Sequence, residues 1–185
     1  MRIGVFGGSF DPIHHGHLIV AELLRERLGL DELWLIPAGE QPFKVGQHRA
    51  PAADRAAMVE LAVAASSGLR ADRVEVDRPG PSYTVDTLRT LRKRCPTDHF
   101  SLLVGSDAAR DLPKWREADA LRGLAEVIVF RRGSEAGEPG TVEVPRIEIS
   151  STAVRERVKA GKSVRYWVPA PVEAYIAEHG LYRNG

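Results

Sequence analysis

The segment Gly7-Gly8-Ser9-Phe10-Asp11-Pro12-Ile13-His14-His15-Gly16-His17 gathers two adjacent glycines, a hydroxyl, a carboxylate and three imidazoles. Paired glycines let a backbone approach a ligand with no Cβ in the way. His14 and His17 stand three positions apart at the expected first turn of a helix. Residues i and i+3 share a helix face, so both rings can reach one ligand. A helix start also leaves backbone N–H groups pointing outward, which suits an anion, phosphate being the commonest. Zinc is an alternative, because paired histidines at this spacing can bind it, but no Cys or further acidic ligand lies close in sequence. The plainer alternatives are capping and packing for the histidines, and a turn for Asp11-Pro12 in which Asp11 only holds the loop. Three histidines beside Gly-Gly favour the ligand.

Ser150-Ser151-Thr152, followed by Arg155, forms a second cluster. Hydroxyls at a helix start cap it. Three are more than one cap needs, and spare donors, a helix N-terminus and an arginine one turn on suit a polyphosphate.

These clusters need elements to position them. Residues 2–6 read as a buried strand, and 18–28 as a helix with apolar residues at helical spacing. Apolar runs at 33–37, 100–104 and 126–130 predict further buried strands, and Val74 and Val76 alternate with Glu75 and Asp77 as in a strand. Residues 142–147 are a last candidate strand. Helices are expected over 53–65, 84–94 (capped by Thr84 or Ser82), 150–159 and 169–179. Residues 38–51 and 133–141 read as polar loops. Strands alternating with helices, several of them apolar on both faces, predict an α/β, Rossmann-like fold. Its sheet is open and mainly parallel, with helices on both faces. Ligands of such a sheet sit at the carboxyl ends of the strands, where the glycine-rich stretch, Gly105-Ser106-Asp107 and the segment before Ser150 can converge.

The bulk numbers agree. With 185 residues, 43% hydrophobic and 28% charged, the chain suits one globular domain over 1–185 with a small C-terminal helical extension. A net charge of +1 asks for neither nucleic acid nor an anionic membrane as partner. The single Cys95 excludes an internal disulfide and fits a reducing compartment. No signal peptide or bilayer-length apolar run is evident, so a cytoplasmic location is expected. A homo-oligomer is compatible with the sequence.

Gly8-Ser9-Phe10-Asp11-Pro12 followed by His14-x-Gly16-His17, with Ile149-Ser150-Ser151-Thr152 and Arg155, resembles the HxGH nucleotidyltransferase superfamily. Three more segments narrow the resemblance: residues 81–88 (PSYTVDTL), 104–107 (VGSD) and 112–115 (LPKW). Together they look like the bacterial nicotinate mononucleotide adenylyltransferases, over nearly the whole chain. That resemblance implies transfer of the adenylyl group of ATP to nicotinate mononucleotide, with Mg²⁺ held mainly by the ATP phosphates and no metal site of the protein's own.

The resemblance also implies roles. Catalysis would fall to His14, His17, Lys44 and Arg155, with His17 at the α-phosphate. ATP would meet Gly7, Gly8, Ser9, Phe10, Gly16, Gly105, Asp107, Ser150, Ser151, Thr152 and Arg155. Nicotinate mononucleotide would meet Ser9, Lys44, Tyr83, Thr84, Asp107 and Trp115, with the ring on Trp115 and its carboxylate at Thr84. Taken alone, Lys44 reads as a solvated loop cation and Trp115 as cover for the core edge. Phe43 departs from the family pattern, which leads one to expect a His before the loop lysine, and Ser106 stands where a small apolar residue is usual. The phosphopantetheine adenylyltransferases and cytidylyltransferases share the first motif but lack the middle segments. A non-catalytic nucleotide sensor would have lost His14, His17 or Arg155, and all three are present.

Overall fold

The computed structural model describes residues 1–40, 49–133 and 140–183. Its centre is β1 (Arg2–Gly8), apolar on both faces: Ile3 and Val5 lie in one buried cluster and Phe6 in the other. A strand of that kind must be covered on both sides, which calls for parallel neighbours joined by helices. The other strands are β2 (Glu32–Pro37), β3 (Leu69–Ala71), β4 (His99–Gly105), β5 (Glu126–Arg132) and β6 (Val142–Val144). They form one sheet in the order β3-β2-β1-β4-β5-β6, and every pairing is parallel. Gly4 at its centre leaves room for the packed leucines, since a Cβ there would lie 2.7 Å from Leu30 Cδ1 and 3.2 Å from Leu103 Cδ1.

Helices α1 (His15–Arg27) and α2 (Ala52–Val63) cover one face, as do α6 (Ser151–Lys159) and α7 (Ala170–Glu178). They contribute Val20, Leu24, Met58, Val59, Val154, Val172 and Ile176 to that core. On the other face α3 (Thr84–Arg94) and α5 (Ala118–Leu124) bury Val85, Leu88, Leu91 and Leu121 against Trp34, Phe100 and Leu102. The short α4 (Ser106–Ala109) leads off the end of β4. The expected fold class is thus present, with the sheet parallel throughout. The strand order reverses beside β1, which opens a crevice at the carboxyl ends of β1 and β4.

Three local expectations fail. Residues 74–77 form a turn, and the third strand is Leu69–Ala71. Asp72 accepts from Val74 N–H (3.0 Å) and pairs with Arg94 (2.6 Å), so the chain turns where the alternation suggested a strand. β6 stops at Val144, before Pro145, instead of reaching Ile147, as expected of a residue with no N–H to pair. Neither Ser82 nor Thr84 caps α3; its N-cap is Tyr83, with no side-chain bond.

Two buried charges tie the loops at the crevice. Asp11, 5% exposed, accepts from Arg49 N–H (2.7 Å), Ala50 N–H (3.1 Å) and the Tyr182 hydroxyl (2.7 Å). Arg55, 1% exposed, donates to the carbonyls of Ser9 (2.7 Å), Gly39 (3.2 Å) and Ala50 (3.3 Å). Removing Asp11 strands three donors, so Asp11→Ala should cost roughly 3 kcal/mol or more. Tyr182→Phe leaves the carboxylate two donors and should cost about 1–2 kcal/mol. Urea denaturation measures both, and wild-type stability in both variants would remove the structural role assigned to Asp11.

Candidate active site

The site begins where β1 runs out. Phe10 turns into the left-handed region (φ +46°) and buries its ring. The ring takes the space above Gly8, whose Cβ would lie 2.8 Å from Phe10 Cζ. It meets Phe6 and His17 edge-on, at 6.0 Å and 5.1 Å. Phe10 therefore offers a ligand only its main chain, and Gly7, exposed with nothing within 4 Å of its would-be Cβ, is the open glycine.

His14 is the extended N-cap of α1. Its Nδ1 accepts from His17 N–H, and Nδ1 of His17 accepts from His14 N–H, both at 3.3 Å. This reciprocal capping assigns the proton of each neutral ring to Nε2. The rings stack at 3.7 Å and 21°. Gly16 makes the stack fit, since a Cβ there would lie 3.0 Å from the His14 ring. Burial pulls the His14 pKa down to about 4, helped by the charge of Arg132 and by His15. Burial, then His14 and Arg132, hold His17 well below its ordinary value. Two neutral rings thus present Nε2–H donors at physiological pH.

The second cluster docks onto the first across nearly the whole chain. Ser150 caps α6 by accepting from Ala153 N–H (3.1 Å). Ser151 Oγ donates to the Pro12 carbonyl (2.9 Å). Arg155 donates to the Asp11 carbonyl (2.7 Å) and to Thr152 Oγ1 (3.1 Å). The three hydroxyls therefore divide their work: one caps, one docks and that of Thr152 receives Arg155. Both clusters lie beside the end of β5, where Arg132 bears on the histidines.

The middle segments occupy the other side of the crevice. Gly105 ends β4 opposite Phe130, and Asp107 is exposed in α4. Tyr83 and Trp115 are half-buried at the rim of the core containing α3 and α5. Arg116 stacks on the Tyr83 ring at 4.7 Å. Thr84, also half-buried, begins α3. Ser82 N–H donates to the Glu40 carbonyl (2.7 Å), which ties this segment to the strand-end region that Arg55 holds. Lys44 lies outside the described residues. Among the described residues, no group of three or more His, Cys, Asp or Glu is arranged to hold a metal ion. The oxygens of Asp11, which a hard cation would seek, are taken by backbone and tyrosine donors.

Sequence reasoning missed Arg55, Arg132 and Tyr182. Arg55 left a signal, because it shares the apolar stripe of α2 with Met58, Val59 and Val63, and a charge on a buried stripe needs partners. Tyr182 left none, since only the chain's path brings it to Asp11.

With this geometry in place, comparison with known proteins is specific. A family model described as cytidylyltransferase-like matches residues 5–157. A protein of Thermus thermophilus named probable nicotinate-nucleotide adenylyltransferase is 47% identical, over 99% of this chain and 100% of its own. A Roseiflexus protein of the same name is 45% identical over 98% of each chain. The solved Plasmodium falciparum nicotinic acid mononucleotide adenylyltransferase, complexed with NaAD, superposes with a TM-score of 0.80 at 21% identity. The match covers 100% of this chain and 98% of that one, and supports the fold.

The histidine pair sets a pH dependence. Above about pH 6.5 both rings are neutral folded and unfolded, and nothing is lost. Below it the unfolded chain takes up protons that the folded site refuses. Stability should then fall by at most about 1.4 kcal/mol per pH unit per ring, down to about pH 4 for His14. Denaturation midpoints between pH 7.5 and 5 should show this slope, and a His14→Gln, His17→Gln double variant should flatten it. An unflattened slope would place the titration elsewhere.

Proposed function

The chain belongs to the nicotinate-nucleotide adenylyltransferase family, within the cytidylyltransferase-like group. From that premise we infer that it transfers the adenylyl group of ATP to nicotinate mononucleotide. The products are nicotinate adenine dinucleotide and pyrophosphate, a step in NAD synthesis. The carrying observation is the docking of Ser151 and Arg155 on the Pro12 and Asp11 carbonyls. It brings two phosphate-suited helix starts, distant in sequence, to one edge of the sheet beside the stacked histidines.

In the reaction a phosphate oxygen of the mononucleotide attacks the α-phosphorus of ATP in line. The bond from that phosphorus to the oxygen bridging the β-phosphate breaks, and pyrophosphate leaves. The protein's part is positioning and charge stabilisation. His17 Nε2–H donates to the α-phosphate, where charge grows, and His14 Nε2–H to the phosphates beside it. A neutral ring with its proton on Nε2 remains a hydrogen-bond donor throughout the physiological pH range. Ser151, Thr152 and Arg155 hold the β- and γ-phosphates. Arg155 has five N–H groups and spends two on its present bonds. Gly7 lets the chain pass close to the nucleotide, Ser9 meets it beside that opening, Gly8 and Gly16 make room for the rings of Phe10 and His14, and Ser150 orients the helix start. Gly105 and Asp107 line the ribose side. Tyr83, Trp115 and the free N–H groups at Thr84 receive the nicotinate ring and its carboxylate. The positive end of α3 favours that acid over the neutral amide. Lys44 completes the charge around the phosphates. Mg²⁺ would be held mainly by the ATP phosphates, with no residue of the chain assigned to it, and would supply positive charge against the leaving pyrophosphate. ATP and the mononucleotide are metabolites of the cytoplasm, which is where the enzyme would act; among the described residues no helix is long and apolar enough to cross a membrane.

The test is pyrophosphate release from ATP and Mg²⁺ with nicotinate mononucleotide, nicotinamide mononucleotide or phosphopantetheine as acceptor. Release should occur mainly with nicotinate mononucleotide, and His17→Ala should lower kcat by roughly 10²–10³. Release with phosphopantetheine alone overturns the acceptor, and silence with all three overturns catalysis in favour of nucleotide sensing.

A further inference from the structure

Behind the first turn of α3 lies a polar cluster with more donors than acceptors. Thr87, buried in that turn, donates its hydroxyl to Glu75 Oε1 (2.8 Å) and accepts from Arg78 Nη2 (3.1 Å). The Arg78 Nε and Nη1 atoms are buried without a partner. So is Oγ of Ser82, a residue 8% exposed. The corner is tightly packed at Gly39, where a Cβ would lie 2.5 Å from the Glu75 carbonyl oxygen and 2.7 Å from Ser82 Oγ.

Buried donors left unpaired carry a free-energy cost, and a buried guanidinium with no carboxylate in contact carries more. None of the ion pairs among the described residues involves Arg78. Arg116, the cation over the outer face of Tyr83, contrasts with it: Asp86 (3.7 Å) and Glu117 (3.8 Å) offset its charge. Among the described residues Glu75 is the carboxylate joined to Arg78 through Thr87; burial raises its pKa, and the charge of Arg78 opposes that shift. Thr87 N–H donates to the Tyr83 carbonyl (3.1 Å), so the guanidinium sits one turn behind Tyr83 and Thr84. Its charge adds to the positive end of α3 from a half-buried position, with Nε and Nη1 out of water.

We propose that Arg78 is a specificity-determining residue: its guanidinium, held behind the first turn of α3 by Thr87 with Nε and Nη1 buried and free of hydrogen bonds, supplies positive potential that selects the acidic mononucleotide over its amide. It acts through the helix start and does not touch the substrate. The inference rests on the reading that Tyr83 and Thr84 receive the nicotinate carboxylate.

The experiment compares kcat/KM for nicotinate and nicotinamide mononucleotide in the wild type, Arg78→Gln, Arg78→Met and Arg78→Lys, with the KM for ATP as internal reference. The neutral variants should lower the acid-to-amide ratio about tenfold through a raised KM for the acid, with the KM for ATP unchanged. Arg78→Lys should keep the ratio within about threefold, since it keeps the charge. A merely structural role would depress both acceptors together, and an unchanged ratio in the neutral variants overturns the proposal. Should neither neutral variant fold, Arg78→Lys decides: a retained ratio supports the proposal and a lost ratio overturns it. A wild type inactive with both mononucleotides overturns the reading of the site itself, and the inference with it.

Discussion

The buried carboxylate of Asp11 is the interaction on which the site depends. A charge removed from water must be paired or fully hydrogen-bonded. Asp11 meets that requirement with donors from residues 49–50 and from Tyr182, near the far end of the chain. Its own carbonyl accepts from Arg155. One residue thus fixes the path of the loop after β1, the return of the chain after residue 48, the docking of α6 and the last turn of the chain. Arg55 does the complementary work from below, by satisfying three carbonyls that the same loops leave pointing inward.

On this frame the histidines are held in one chemical state. Reciprocal capping uses both Nδ1 atoms of the stacked rings, and burial makes an additional proton on either ring costly. The same contacts that stabilise the helix start also orient both Nε2–H groups. Gly16 and Gly8 are part of that arrangement for steric reasons: each leaves room for a ring, of His14 in one case and of Phe10 in the other.

The crevice has two unlike walls. One carries the docked helix starts and the histidines, and suits phosphate. The other carries Tyr83, Trp115 and the start of α3, with cations both outside and behind it, and suits a flat ring that bears a carboxylate. The Arg55–Gly39 and Glu40–Ser82 bonds couple the walls through the strand-end segment between them. The reversal of strand order beside β1 provides the gap that both walls face.

Much of this was legible in the residues. Helical and strand periodicity placed β1, β2, β4, β5 and most helices, because those patterns depend on neighbours a few positions away. The Gly-Gly and His-x-Gly-His spacing located the first helix start, and Ser150 to Arg155 the second. Where the local signal misled, a side chain had a distant partner: Val74 to Asp77 looked like a strand, but Asp72, paired with Arg94 on α3, holds a turn there. Asp11 could be read as a loop-holding residue, but its partners could not. The sequence by itself determined most of the element types, the parallel class and the two phosphate-suited helix starts. Only the tertiary structure decided that Arg155 meets Asp11, that Tyr182 closes the knot and that Nε and Nη1 of Arg78 stay buried without a hydrogen-bond partner. Those outcomes depend on which groups the folded path brings within hydrogen-bond reach, a property of the whole chain that no local spacing encodes.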